Sequence, residues 1–385
     1  VSADRGVYVH WPWCARICPY CDFNVYRARG EDGAAMTAAI VEDLEGHAAR
    51  LDAGPPLASI FFGGGTPSLM APGQVEAVIA ACARLFGLAP DCEISLEANP
   101  TDAETARFAG LRAAGVNRLS LGVQALDDAA LAFLGRNHRA DEARRAVEAS
   151  LAAGFRTSLD LIYALPGQTI AAWTEELRGA LALGAEHVSA YQLTIEAGTA
   201  FDRAVRRGAW APAEDGLAAD LYETTQAVLG AAGFRAYEIS NHACSDGARS
   251  AHNLLYWRSA DWIGVGPGAH GRIPVGGRRS ATVAAMRPAG YLRAVGEAGV
   301  GWDGPAQALP PQAIAEEYWL AALRPTDGAR ACDRRRLGVA EPSAELVGEQ
   351  EAAGWLERDG TALRLTPPGR LVADRIALDL ASAVS

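Results

Sequence analysis

The sequence predicts an α/β protein: a curved, open sheet of parallel strands with helices on its outside, followed by a smaller α+β module. Three observations carry this. From residue 5 to about 195, strand-like and helix-like stretches alternate in six units, the pattern of a parallel sheet with helical crossovers. Within the strands, alternation sends each side chain to one of two faces, and one face is apolar while the other carries Ser, Glu, Gln and Asp. From about 305 the pattern changes to helix, helix, hairpin, helix. With half of the 385 residues hydrophobic, a main domain plus a smaller one is the natural division. The expected boundaries are 1–195 for a partial barrel, 196–304 for an extension of it and 305–385 for the terminal module.

The first strand, Gly6 to Val9, leads into Cys14-Ala-Arg-Ile-Cys18-Pro-Tyr-Cys21, three thiols within eight residues. Thiolates are the usual ligands of iron-sulfur clusters, and a four-iron cluster takes four of them, so a three-cysteine loop leaves one iron open to a non-protein ligand. Structural zinc would need a second C-x2-C or an H-x3-H, and neither follows. Disulfides suit the chain poorly: it has seven cysteines, no secretory leader pattern and enough length to bury a core without bridges. Trp11, Trp13, Ala15, Ile17, Tyr20 and Phe23 are expected to keep a cluster dry.

Helix one follows from Met36, Ile40, Leu44, Ala48 and Leu51 on one face. Strand two, Ser59 to Phe62, runs into Gly63-Gly-Gly65-Thr66-Pro67. Helix two carries Val75, Val78, Ile79, Cys82, Leu85 and Phe86 and stops at Gly87, so Cys82 reads as a small core residue. In strand three Cys92, Ile94 and Leu96 alternate with Glu93, Ser95 and Glu97; in strand four Leu119, Leu121 and Val123 alternate with Arg118, Ser120 and Gln124; in strand five Leu159 and Leu161 alternate with Ser158 and Asp160. The apolar face meets the helices, and the polar face lines the interior. A closed eight-stranded barrel fills its interior with Val, Ile and Leu, so a polar interior points to a ligand. The cysteines, the glycine triplet, Glu97, Gln124 and Asp160 are all expected at C-terminal strand ends, where parallel sheets place their active sites.

Bulk properties exclude several classes. A net charge of -11 disfavours a nucleic-acid partner. All 35 basic residues are arginine, which excludes a P-loop lysine and a Schiff-base lysine. No apolar run approaches the ~20 residues that span a bilayer, and no charged-then-apolar leader is present, so a cytoplasmic protein with at most peripheral membrane contact is expected.

Residues 196–304 read as a helix (Leu217 to Leu229), a strand (Phe234 to Ile239), then two motifs: His252-Asn253-Leu-Leu-Tyr256-Trp257 and Gly264-Val-Gly-Pro-Gly-Ala-His270-Gly271. His10 lies on the interior face of strand one; His47, His138, His187 and His242 have no legible partner, and Cys244 and Cys332 are isolated thiols. The terminal module reads as Ala313 to Leu323, Ala344 to Ala353, a hairpin of Trp355 to Glu357 and Ala362 to Thr366 around Asp359-Gly360, then Gly369 to Leu380. That order suggests a winged-helix-like domain. Its nine arginines face twelve carboxylates over 311–385, so a DNA-reading surface is not expected; a lid or docking module is.

C-x3-C-x2-C followed by an aromatic resembles the signature of radical S-adenosylmethionine (SAM) proteins, and Tyr8-Val-His10-Trp-Pro-Trp-Cys14 through Cys21-Asp-Phe23 resembles one branch, the oxygen-independent coproporphyrinogen III oxidase family with its haem-chaperone members of HemW type. The resemblance covers residues 5 to about 275 and implies a partial (β/α)6 barrel. It implies a [4Fe-4S] cluster on Cys14, Cys18 and Cys21, with SAM chelating the open iron. It gives Gly64, Gly65 and Thr66 the methionine amino group of SAM, places Tyr8 and Tyr20 beside the cofactor and has Glu97 accept hydrogen bonds from it. Gln124, Arg136 and Asp160 match positions that contact a second SAM in the decarboxylating oxidase. His270 stands where the oxidase has an aliphatic residue. The resemblance associates HNxxYW with the haem chaperones. His252 is then the expected axial haem ligand, with His10 and Cys244 as alternatives: four residues from Tyr256, it would share a helical face with that ring.

Phe23 stands where the oxidase has a further cysteine, only 13 residues precede Cys14 where the oxidase has a longer arm, and HNxxYW is present. All three favour a haem chaperone that keeps a cluster and a SAM site, takes electrons from a donor and delivers haem to acceptor proteins, respiratory ones among them. The oxidase itself is the alternative, and a radical SAM methyltransferase or cyclopropanase comes third.

Overall fold

The computed structural model describes residues 4–30 and 32–382. Six strands, β1 (Arg5–Trp11), β2 (Leu57–Gly64), β3 (Leu88–Ala98), β4 (Arg118–Gln124), β5 (Arg156–Tyr163) and β6 (His187–Gln192), lie parallel and in chain order. Helices cover their outer face. The first, α1 (Gly33–Ala48), is capped by Asp32, whose carboxylate accepts from the N–H groups of Ala34 and Ala35, and it buries Met36, Ile40 and Leu44 completely. The second, α2 (Pro72–Phe86), starts on a proline and ends at Gly87 with φ +70°, a conformation glycine adopts without strain. It buries Val75, Val78 and Cys82. Against these helices lie Val7, Val9, Ile60, Phe62, Leu96, Leu119, Leu121, Leu159 and Leu161, all with no accessible surface.

The sheet does not stop at six strands. A seventh parallel strand, β7 (Asp261–Val265), joins the far side of β1, with Val7 opposite Ile263. Beyond it β8 (His270–Val275) and β9 (Arg278–Val283) continue antiparallel. Local patterning could not place β7, because its partner lies at the other end of the barrel in sequence. The strand expected over Phe234 to Ile239 is only Arg235–Ala236. The chain bends there because Glu238 turns inward, where one of its oxygens accepts from the Ser240 N–H at 2.7 Å and from Asn241 Nδ2 at 2.6 Å. The HNxxYW segment is a helix, α3 (Ala251–Trp257), capped by Ser250, whose hydroxyl accepts from the Asn253 N–H.

The terminal residues build a buried cluster of their own around Tyr318, Trp319, Val347, Leu356, Ile376 and Leu380. Helix α4 (Pro311–Ala322) opens this part; a short helix, Ala331–Arg336, which the pattern did not suggest, precedes Ala344–Ala352. The hairpin Leu356–Asp359 with Ala362–Leu365 pairs with Ala329–Arg330 into a three-stranded sheet. Among the described residues no helix is long and apolar enough to cross a membrane.

Candidate functional site

A cavity of about 430 Å³ opens at the C-terminal ends of the parallel strands and runs down the interior of the sheet. That is the size of a small-molecule site. Cys14, three residues past β1, is buried; Cys18 and Cys21 are half-buried, and all three line the cavity. The loop is fixed by a turn (Cys21 N–H to Cys18 C=O, 3.2 Å) and by the pairing of Trp13–Cys14 with Tyr26–Arg27. Burial raises the Cys14 thiol above its usual range and pushes Cys21 up to about 11. Arg136 Nη1 stands 3.3 Å from Cys18 Sγ. Among the described residues no three His, Cys, Asp or Glu side chains converge as ligands of a single metal ion. A cluster asks for something else, since each thiolate takes a different iron. Three unbridged thiols lining one cavity fit such a group.

The glycine triplet packs beside the cysteine loop and lines the same cavity. Gly64 has φ +103°, and a Cβ there would stand 2.5 Å from the His10 ring; one on Gly65 would stand 2.6 Å from the Trp13 carbonyl oxygen. Gly64 N–H donates to Glu97 Oε2 at 3.2 Å, Gly65 N–H to the Trp11 carbonyl at 2.7 Å and Thr66 N–H to the Trp13 carbonyl at 2.9 Å. With these donors taken, the loop has acceptors to offer the cavity, which suits an ammonium group. Asn99, unremarked in the sequence, ties the walls together: its Nδ2 donates to Thr66 Oγ1 at 3.2 Å and its Oδ1 accepts from Arg136 Nη2.

Two carboxyls face the interior. Burial, with Asp160 nearby, pushes Glu97 up to about 8 against the pull of the Gly64 N–H. Burial pushes Asp160 up to about 6, although the Ser120 hydroxyl donates to it at 2.9 Å. Asp160 sits inside β5 and not at its end: the strand runs three residues on, to Tyr163. Arg136 also donates to the Gly122 carbonyl at 3.0 Å and lies 3.5 Å from the Tyr20 hydroxyl. Gln124, at the end of β4, has φ +65°, a left-handed conformation uncommon outside glycine. Tyr20, Gly64, Gly65, Thr66, Glu97, Gln124, Arg136 and Asp160 line this cavity together with the three cysteines.

Tyr8 and His252 do not line it. The Tyr8 hydroxyl is 3.0 Å from His10 Nδ1, and its ring stacks on Phe61. His252 is 1 % exposed, with Nδ1 2.8 Å from Ser59 Oγ and Nε2 2.8 Å from the Tyr256 hydroxyl. Residues 252 and 256 do share a helical face, but they spend it on each other: both imidazole nitrogens have partners within the protein, an arrangement that does not favour the expected role as axial ligand. His10 is set aside for the same reason, since its Nε2 lies 2.9 Å from the Asn24 carbonyl. The aromatic shield is incomplete as well. Trp11 and Trp13 are buried edge to face, but Ile17 and Phe23 are 45 % and 62 % exposed at the cavity mouth, because nothing on the barrel reaches over them. Beyond Asn99, sequence reasoning missed Ser189, Tyr191 and Asn253, which also line the interior. The polar alternation of β6 was the available signal for the first two.

The model of the Radical SAM superfamily matches residues 8–178. "Radical S-adenosyl methionine domain-containing protein 1, mitochondrial" of Bos taurus is 40% identical, over 99% of this chain and 88% of its own. "Heme chaperone HemW" of Mycobacterium tuberculosis is 39% identical, over 97% of this chain and 94% of its own. Among solved structures, the coproporphyrinogen III oxidase HemN of Escherichia coli superposes with a TM-score of 0.81 over 99% of this chain and 91% of that one, at 21% identity, which is a likeness of fold.

Proposed function

The chain belongs to the radical SAM superfamily and, within it, to the family of the haem chaperone HemW, and from that premise we propose that it binds haem and delivers it to acceptor proteins while keeping a cluster and a SAM site. The observation that carries the reading is end-to-end identity with a haem chaperone, 39% over nearly the whole of both chains, against a likeness to the oxidase that extends to fold alone. Phe23 supports it: an exposed phenyl ring stands where the oxidase is expected to carry a cysteine.

In this reading Cys14, Cys18 and Cys21 hold a [4Fe-4S] cluster and leave one iron open. SAM bound there supplies, on reduction by an electron donor, the chemistry of sulfonium cleavage. The chain's own residues do the positioning. Gly64, Gly65 and Thr66 accept from the SAM amino group, Glu97 takes a hydrogen bond from the cofactor, Tyr20 and Arg136 close the cluster side, and Gln124 and Asp160 form the far polar wall. Tyr8 acts from behind, by fixing His10 under Gly64. A reducing compartment such as the cytoplasm suits both the thiols and the cluster.

The test is direct. Anaerobically reconstituted protein, supplied with SAM and a reductant, is expected to bind haem stoichiometrically and to leave coproporphyrinogen III unchanged. Stoichiometric decarboxylation would restore the oxidase.

A further inference from the structure

The haem reading leaves the ligand of the iron open, and among the histidines the structure narrows it. Haem iron is held by His, Cys, Met or Tyr. Of the seven histidines, six are buried. His10 and His252 are engaged at both ring nitrogens, as described above. His47 lies between the Asp43 carbonyl and Trp302 Nε1, each at 2.9 Å, and His187 between Ser158 Oγ and the Tyr237 hydroxyl. His138 turns Nε2 to the Val123 carbonyl at 3.1 Å and His242 turns Nε2 to Gln226 at 3.2 Å, each inside the protein. His270 differs. It is exposed, and among the described residues no hydrogen bond or ion pair engages its ring.

Exposed apolar side chains stand on the segments that meet at its strand end. His270 lies opposite Gly264 at the start of β8, and Gly264 lies opposite Tyr8, so the imidazole belongs to the interior face of the sheet. One side chain gathers the neighbours. Asn24 Nδ2 donates to the Pro267 carbonyl at 2.9 Å and to the Met286 carbonyl at 2.7 Å, while Gly268 packs on Asn24 so closely that a Cβ would stand 2.4 Å from Nδ2. This ties the cluster loop to the strand end that carries His270. It also brings Phe23, next to Asn24 in the chain, to the same junction as Met286, and these are 62 % and 49 % exposed. The other two methionines, Met36 and Met70, are completely buried. Arg287 follows Met286, exposed and in no ion pair among the described residues, a counter-charge available to a propionate. Partial burial and Arg272 hold the His270 imidazole below its usual range, which favours the neutral, ligating form.

We propose that His270 ligates the haem iron, with the macrocycle lying against Phe23 and Met286 beside the cluster loop. This rests on the haem-binding reading and specifies its site: haem sits at the mouth of the SAM cavity and not within it.

The experiment is a titration of cluster-loaded protein with ferric haem, followed by Soret absorption and by electron paramagnetic resonance, for the wild type, His270→Ala and Cys244→Ser. The wild type and Cys244→Ser are expected to give the same protein-bound Soret band. In His270→Ala that band should revert toward the band of free haem and affinity should fall at least about tenfold, the lower end of what losing even a supporting group costs a metal site. Added imidazole should bring the bound spectrum back, and iron content and SAM binding should stay at wild-type values, which separates a lost ligand from a misfolded chain. An unchanged spectrum in His270→Ala overturns the assignment and leaves the chaperone reading intact; absence of any bound band in the wild type overturns the chaperone reading itself.

Discussion

At the scale of single residues, the cavity is organised by charge held away from water. Glu97 is the sharpest case, because with its carboxyl pushed up to about 8 it carries a proton in the ligand-free protein at neutral pH. SAM is cationic at its sulfonium, so its binding favours the ionised form. SAM affinity is therefore expected to rise with pH toward about 8 and flatten above, by up to about tenfold per unit, and calorimetry of Glu97→Gln should show that slope abolished. Stability runs the other way. The folded state holds a proton the unfolded chain has released, so this carboxyl costs stability progressively as pH rises from the ordinary carboxylate range through about 8. Thermal unfolding of ligand-free protein should show that decline, weakened in Glu97→Gln. Gly64 makes a second prediction. Valine there meets the His10 ring and forces φ +103° on a branched residue, roughly 1–3 kcal/mol of backbone strain before the clash is counted. Gly64→Val should lose SAM binding and retain iron, measured by calorimetry and iron assay.

At the scale of elements, the HNxxYW helix braces the floor of the barrel. Glu93, 1 % exposed on β3, is its anchor: one oxygen accepts from the His252 N–H at 3.2 Å and from the Ser250 hydroxyl at 3.3 Å. The other faces Arg156 at 3.0 Å and the buried Arg118 at 3.5 Å. Glu93→Ala would strand the Arg118 guanidinium inside the protein, at a cost of roughly 3–5 kcal/mol. The urea midpoint should fall accordingly, with cluster content unchanged in the protein that remains folded. The sequence showed the motif and its helical spacing but not its use. Spacing puts His252 and Tyr256 on one face; only packing decides whether that face meets a ligand or Ser59.

At the scale of the whole molecule, the terminal module is held to the barrel largely through arginines. Arg272 pairs with Glu317 on α4 at 2.6 Å, Arg258 with Asp327 at 3.1 Å, and Arg324 with the fully buried Glu238 at 3.3 Å while stacking over Trp257 at 4.6 Å. The last residue of HNxxYW thus belongs to this junction. Arg324→Ala should loosen it, at less than the roughly 3–5 kcal/mol of a fully buried pair because the guanidinium is a quarter exposed. Hydrogen exchange is expected to rise in α3 and α4 and to stay at wild-type levels in β1 to β5.

The sequence by itself determined the parallel strands, the cluster loop and the polar interior, because each is written in local order: alternation gives the faces, and cysteine spacing within one loop gives the thiol set. It could not determine what the histidines do. An imidazole becomes a ligand or a brace according to which groups fold against it, and the contact of Ser59 with His252 joins residues 193 apart in the chain. The seventh strand and the junction at Asn24 were hidden for the same reason. Tertiary structure left His270 as the one exposed imidazole, since exposure is a property of everything that fails to cover a residue and has no local signature.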